Sequence, residues 1–272
     1  MQEDLTGSKL PSIGGGMAKA KPGVTNGPNL WGIEHVSLLE SYEPVPVDNS
    51  SDATYARDTA GRLWVRKPVV NTGCSGILAE AIGLLLGREL GVPMPEAGVH
   101  GEGNEASWLS LVIKPVTHWQ PQRRHFVQNM DGLGRALALD ALLMNADRHG
   151  GNILLQPNPS AVELRAWCID MGNAGVGYPV PFAEAVEAGE VPDTRNLAKD
   201  IPDIVDLLED GARLAAQGAE KLSATRLQLM VSEACDVAKE PQDQVLFDAL
   251  KKRLKDAQKI VEAYLAKVRA PK

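Results

Sequence analysis

The stretch that decides the reading of this chain is Asn145-Ala146-Asp147-Arg148-His149-Gly150-Gly151-Asn152-Ile153-Leu154-Leu155. Upstream of it, residues 126–145 carry Leu133, Leu137, Ala141 and Met144 at helical spacing. Downstream, Ile153-Leu154-Leu155 reads as a short apolar strand, and residues 166–169 as a second strand that ends at Asp170. The stretch therefore puts Asp147 in a loop, Asn152 at the start of a strand, and Asp170 at the end of its hairpin partner. Gly150 and Gly151 relieve crowding where the backbone must turn. A loop carboxylate can reach a hydroxyl, and Asn152 and Asp170 offer the oxygen ligands that Mg²⁺ prefers. Phosphoryl transfer uses such a set: one acid to position a nucleophile, and metal ligands to offset phosphate charge. Asp140 lies up to two turns before the loop, where it either braces the loop by hydrogen bonds or faces solvent.

Such chemistry also needs a cation on the phosphates. Residues 63–67 alternate as a strand after the hairpin turn Ala60-Gly61-Arg62, with Val65 and Lys67 on one face. A helix over residues 75–90 follows, with Ile77, Ala81, Leu84 and Leu85 as its apolar face, stopped by Gly91 and Pro93. Glu80 on that helix can pair with Lys67. Further strands are predicted at residues 35–39, 97–100 and 107–113, with a polar turn at 101–105. Beyond the deciding stretch the chain reads as helices over 197–217, 223–238 and 242–268, with Ser223 and Pro241 as start signals. Residues 1–28 are polar and rich in Gly, Pro, Ser and Lys, and read as a flexible tail. Gly14 to Gly16 precede no Gly-Lys-Ser/Thr, so they do not make a phosphate loop. The fold class is α+β, with two lobes: strand-rich residues 29–116 and helix-rich residues 117–272, a join that suits a ligand cleft.

The chain of 272 residues, 44% of them hydrophobic, is long enough to bury a sizeable core. Its formal net charge of −7 repels phosphate backbones and argues against nucleic acid as the main partner. The one tight basic cluster, Arg123-Arg124-His125, reads as a solvated loop. Cys74, Cys168 and Cys235 are far apart and odd in number, which argues against a disulfide framework or a zinc site. No apolar run is read as approaching the roughly 18–20 residues of a membrane span, and no signal peptide is visible, so a cytoplasmic protein is expected.

Asp147-Arg148-His149-x-x-Asn152-Ile153-Leu154 followed by Ile169-Asp170-x-Gly172 resembles the catalytic and metal-binding loops of the HipA-like kinases, a loop shared with phosphoinositide 3- and 4-kinases. Val65-Arg66-Lys67-Pro68 resembles the strand that carries their ATP-binding lysine. The run from Glu80 to Leu90-Gly91-Val92-Pro93-Met94-Pro95 resembles their following helix and turn. The resemblance implies a bilobal protein-kinase-like fold and an ATP- and Mg²⁺-dependent transfer of the γ-phosphate to a hydroxyl of a serine/threonine protein substrate. It extends to a toxin-type role with an antitoxin partner. It implies that Lys67 contacts the α- and β-phosphates, Glu80 orients Lys67, Asp147 positions the hydroxyl, and Asn152 and Asp170 bind Mg²⁺. His149 would support the loop, and Ile113 to Val116 would form a hinge strand against adenine. In place of a G-x-G-x-x-G loop stands Asp48-Asn49-Ser50-Ser51-Asp52, where Ser50 and Ser51 would cover the phosphates. Met171 stands where protein kinases have Phe. A small-molecule or phosphoinositide-type kinase and an ATP-binding pseudokinase regulator are the alternative readings.

Overall fold

The computed structural model describes residues 33–45, 52–159, 162–193, 205–241 and 243–269. The expected tail at 1–28 and the residues Ser50 and Ser51 lie outside them. The chain opens with β1 (Ile33–His35), β2 (Leu38–Pro44), β3 (Thr54–Asp58) and β4 (Leu63–Pro68). The turn between β3 and β4 forms because Asp58 acts as a local hub. Its carboxylate accepts from the Ala60 and Arg62 amides, the Arg62 side chain and the buried indole of Trp64, while Gly61 takes the left-handed φ of +83° that the tight turn requires.

Helix α1 (Val69–Glu89) follows without a loop, kinked at Gly73, where φ is +71°. It begins earlier than the apolar spacing indicates because Val69 N–H is tied to the Ala106 carbonyl. Helix α1 has 21 residues, and an 18-residue stretch of it has a mean hydropathy of 1.6, long and apolar enough to cross a membrane, against the expectation that no run approaches such a span. It is instead mostly buried inside the protein, and it carries the charged Glu80 within the fold. It is a core helix.

Strands β5 (Ala97–His100) and β6 (Ser107–Leu111) complete a six-stranded sheet of order β1-β5-β6-β4-β3-β2. Trp64 and Leu109 are fully buried, and Trp108 nearly so. The predicted strand to residue 113 stops at Leu111. Residues 113–116, expected as a hinge strand, form an irregular connection, preceded by Val112, whose N–H donates to the Leu63 carbonyl. Lys114 and Pro115 account for this, since proline offers no donor to a ladder.

The connection leads to the two-residue strand β7 (Thr117–His118), then to a 3-10 turn at Pro121–Phe126 that holds the basic cluster. Helix α2 (Met130–Leu143) therefore starts four residues later than its spacing indicates. Strands β8 (Ile153–Pro157) and β9 (Leu164–Cys168) form a hairpin, and β7 pairs with β8. Then come α3 (Pro179–Glu187), α4 (Val205–Glu220), α5 (Ala224–Ala238), α6 (Gln244–Lys255) and α7 (Ala257–Arg269). Ser223 caps α5 as expected. Asp243, not Pro241, caps α6, accepting from the amides of Val245 and Leu246. The single helix read over 242–268 breaks at Asp256. The result is a mixed fold: a strand-rich N-terminal part carrying one helix, and a helical C-terminal part.

Candidate active site

Strand β4 alternates sides, so Leu63, Val65 and Lys67 share one face of the sheet while Trp64 points into the core. At the end of that strand, Lys67 Nζ lies 2.7 Å from Glu80 Oε1 and 2.8 Å from Asp170 Oδ1. Three distant parts of the sequence thus meet at one ammonium. The Lys67 side chain is 12% exposed, and Asp170, at 34%, is the member that opens to solvent. The other Glu80 oxygen accepts from the Met171 amide at 3.2 Å, so helix α1 also grips the residue after Asp170.

The electrostatics follow from this clustering. Burial alone would lower the Lys67 pKa, but the facing charges of Glu80 and Asp170 raise it above its ordinary value. Burial alone would raise that of Asp170. The Lys67 charge and hydrogen bond, the Gly172 amide and the Arg148 charge together hold it below the ordinary carboxylate value. Both groups are ionised at neutral pH. Asp170 also adopts a left-handed φ of +64°, uncommon for a residue other than glycine and costing about 1–3 kcal/mol.

The loop after α2 brings the remaining predicted residues to the same place. Met144 closes α2 in the left-handed conformation at φ +57°, and the Asn145 amide returns to the Asp140 carbonyl. The Asp147 amide donates to Asn145 Oδ1 at 3.1 Å, and Asn173 Nδ2 donates to Asp147 Oδ2 at 2.9 Å. Asp147 is therefore oriented from both sides. Asn152 Nδ2 donates to the Asp147 carbonyl at 3.0 Å, which commits its amide nitrogen and leaves its side-chain oxygen for another partner. The Ile169 amide donates to the Asn152 carbonyl at 3.1 Å, so Asn152 and Asp170 are joined through the backbone beside them. The ring Nδ1 of His149 accepts from the Gly151 amide at 3.0 Å and caps the short turn before β8. It braces the loop from within. His118 stands on β7 with its Nδ1 at 2.9 Å from the Gly151 carbonyl.

The donors present fit a magnesium ion held jointly with phosphates. Asn152 and Asp170 supply two neutral or anionic oxygens, and no group of three or more His, Cys, Asp or Glu side chains is arranged to hold a metal among the described residues. Mg²⁺ usually keeps several waters and takes one or two carboxylates plus substrate phosphates, and does not need an all-protein cage. Lys67 donates to Asp170 Oδ1, and the Asp170 side chain is 34% exposed, open to a cation from solvent.

A hollow of about 190 Å³ is lined by Glu43, Tyr55, Ala56, Arg57, Leu63 and Lys114. Tyr55 pairs with Val65 and Arg57 with Leu63, so these side chains share the Lys67 face of the sheet. Lys114 Nζ stands 5.4 Å from the centre of the Tyr55 ring. Ile113 and Val116 belong to the connection that carries Lys114. Reading the sequence gave no role of its own to Tyr55, Lys114, Asn145, Arg148 or Asn173, although Asn145 and Arg148 stand in the deciding stretch. The alternation of β3 against β4 is the signal that could have found Tyr55.

No family model matches the chain, and no curated protein matches it. Solved structures do. The proinflammatory kinase CtkA of Helicobacter pylori aligns at 11% identity over 87% of this chain and 98% of its own, with a TM-score of 0.53. HipA from Shewanella oneidensis, in complex with HipB and operator DNA, aligns at 11% identity over 85% of this chain and 68% of its own, with a TM-score of 0.42. The Rio2 kinase of Chaetomium thermophilum aligns at 17% identity over 84% and 71%, with a TM-score of 0.37. The overlap with CtkA establishes the class: the chain has the kinase fold.

Proposed function

We propose that this protein is an ATP-dependent phosphotransferase of the HipA-like kind, acting on a serine or threonine hydroxyl of a protein. The observation that carries the reading is Lys67 Nζ held between Glu80 and Asp170, beside a loop that presents Asp147 and Asn152. A kinase fold could persist without this set; the set gives the fold a use. The lobes would divide as 29–116 and 117–272, with residues 113–116 as the hinge.

In this reading Lys67 exchanges part of its pairing with Asp170 for the α- and β-phosphates, and Glu80 keeps it in place. Asp147, oriented by Asn145 and Asn173, accepts a hydrogen bond from the incoming hydroxyl and aims it in line with the γ-phosphate. Asn152 and Asp170 would hold Mg²⁺, which offsets charge spreading over the phosphate oxygens. The hollow at Tyr55, Leu63 and Lys114 seats the adenine, with the backbone of Ile113 to Val116 as its polar edge.

The test is transfer of label from γ-labelled ATP with Mg²⁺, to the protein itself, to cell-extract proteins and to lipid vesicles. Labelled protein bands that fall at least about 100-fold in Asp147→Ala are expected. Labelled lipid or metabolite points to a small-molecule kinase, and ATP binding without transfer in any mixture points to a pseudokinase. Growth inhibition on expression, relieved by the same substitution, would add a toxin role with an antitoxin partner.

A further inference from the structure

Behind the candidate site lies a buried polar group that the phosphotransfer reading does not use. Arg148 is 2% exposed and Asp140 is fully buried. The guanidinium grips the carboxylate with both edges of its fork, Nε to Oδ2 at 2.9 Å and Nη2 to Oδ1 at 3.0 Å. Its remaining nitrogen, Nη1, donates to two carbonyls, that of Asn152 at 3.0 Å and that of Ile169 at 2.8 Å. Asn145 Nδ2 donates to the same Asp140 oxygen at 2.7 Å, and the oxygen of that amide accepts from Asp147 N–H. Burial works against the Arg148 charge, and the Asp140 carboxylate more than restores it.

We infer that Asp140 and Arg148 are a positioning pair that fixes the separation of Asn152 and Asp170, and so sets the affinity of the site for a divalent cation. The inference rests on the assignment of those two residues as magnesium ligands. One atom, Arg148 Nη1, bonds the carbonyl of Asn152 itself and that of Ile169, the residue directly before Asp170. Each ligand therefore inherits its backbone position from the same nitrogen. Asp140, planted in α2, fixes where that nitrogen stands. Partners behind a metal ligand are worth about 10- to 100-fold in metal affinity in other proteins. A lysine at position 148 would keep the charge against Asp140. It could not bond both carbonyls and both Asp140 oxygens at once, because an ammonium carries three donors on one nitrogen where the guanidinium spreads five over a planar fork.

The experiment titrates Mg²⁺ calorimetrically into the full chain saturated with a non-hydrolysable ATP analogue. It compares the unsubstituted protein with Arg148→Lys and Asp140→Asn, and measures analogue affinity without metal and thermal unfolding beside it. The expected result is a Mg²⁺ affinity about 10- to 100-fold weaker in each folded variant, with metal-free analogue affinity changed less than about 2-fold. A folded variant with unchanged Mg²⁺ affinity overturns the inference and leaves the phosphotransfer reading standing. Equal losses of analogue and metal affinity overturn it too, since they mark general damage, as does loss of cooperative unfolding in both variants. If the unsubstituted protein binds neither analogue nor metal, the phosphotransfer reading falls and takes this inference with it.

Discussion

At the residue scale, the consequences of the Lys67 cluster can be stated with signs. Replacing Lys67 by Met leaves Glu80 buried without its cation. Breaking a buried pair in this way costs roughly 3–5 kcal/mol, to be read as a lower midpoint in urea denaturation, together with loss of nucleotide binding. The Asp170→Asn variant tests the pH dependence. Asp170 has its folded pKa depressed below the ordinary 3.8, so its contribution is fully present above that value and is lost as pH falls through the folded one. Lys67 is raised above its ordinary 10.5, so its contribution is fully present below that pH and is lost only as pH climbs through the higher folded value. The stability gap between the native protein and Asp170→Asn should be flat from about pH 5 to 9 and close in strong acid. Melting temperature against pH for both proteins measures it, and a gap that closes near neutrality would contradict the cluster. Most of this site was legible in the sequence. Lys67, Glu80, Asp147, Asn152 and Asp170 announce themselves by residue type and order. Tyr55 and Arg148 did not, because an aromatic on a strand and a loop arginine look ordinary until pairing and burial are known.

At the scale of elements, α2 and α4 cross at a glycine contact. A Cβ on Gly134 would meet the Leu208 carbonyl oxygen at 2.1 Å, and one on Gly211 would meet the Asp131 carbonyl oxygen at 2.1 Å. Backbone lies on backbone there, and neither side can yield by rotating a side chain. Gly134→Ala should therefore lower stability by roughly 1–3 kcal/mol, and because α2 feeds directly into the Asp147 loop, it should weaken nucleotide binding as well. Gly218, exposed on the same helix, meets only Leu90 Cδ2 at an ordinary 3.7 Å. Gly218→Ala should raise stability by about 0.5–1 kcal/mol through helix propensity alone. Urea unfolding of the two variants reads opposite signs, and a shared sign would contradict the packing. The elements most legible in sequence were those with strong local signals, such as the turn before β4 and the Ser223 cap. Strand β7 is too short at two residues to carry a period. Helix α3 begins at Pro179 without a side-chain cap, and the sequence reading assigns no element there. The break at Asp256 lies inside one continuous apolar stripe, so only tertiary packing separates α6 from α7.

At the scale of the whole molecule, the C-terminal helices hold the site from behind. Arg253 of α6 is buried and donates to the Ala141 carbonyl near the end of α2 and to the Glu190 carbonyl. Burial draws its pKa down to about 10, still well above neutrality, so the guanidinium stays charged. Leu250, Tyr264 and Leu265 are buried with it. Deleting residues from 243 onward should abolish cooperative unfolding as well as nucleotide binding, measurable by calorimetry and light scattering. The sequence foresaw helices here but not their purpose, since an arginine in a helix reads as a surface charge until its surroundings are seen.

The most direct measurement is a crystal structure of the protein with a non-hydrolysable ATP analogue and Mg²⁺. The account expects one triphosphate with Lys67 on its inner phosphates, the ion between Asn152 and Asp170, Asp147 facing the terminal phosphate, and the base against Tyr55. A nucleotide bound elsewhere, with the Lys67–Asp170 pair untouched, would contradict it.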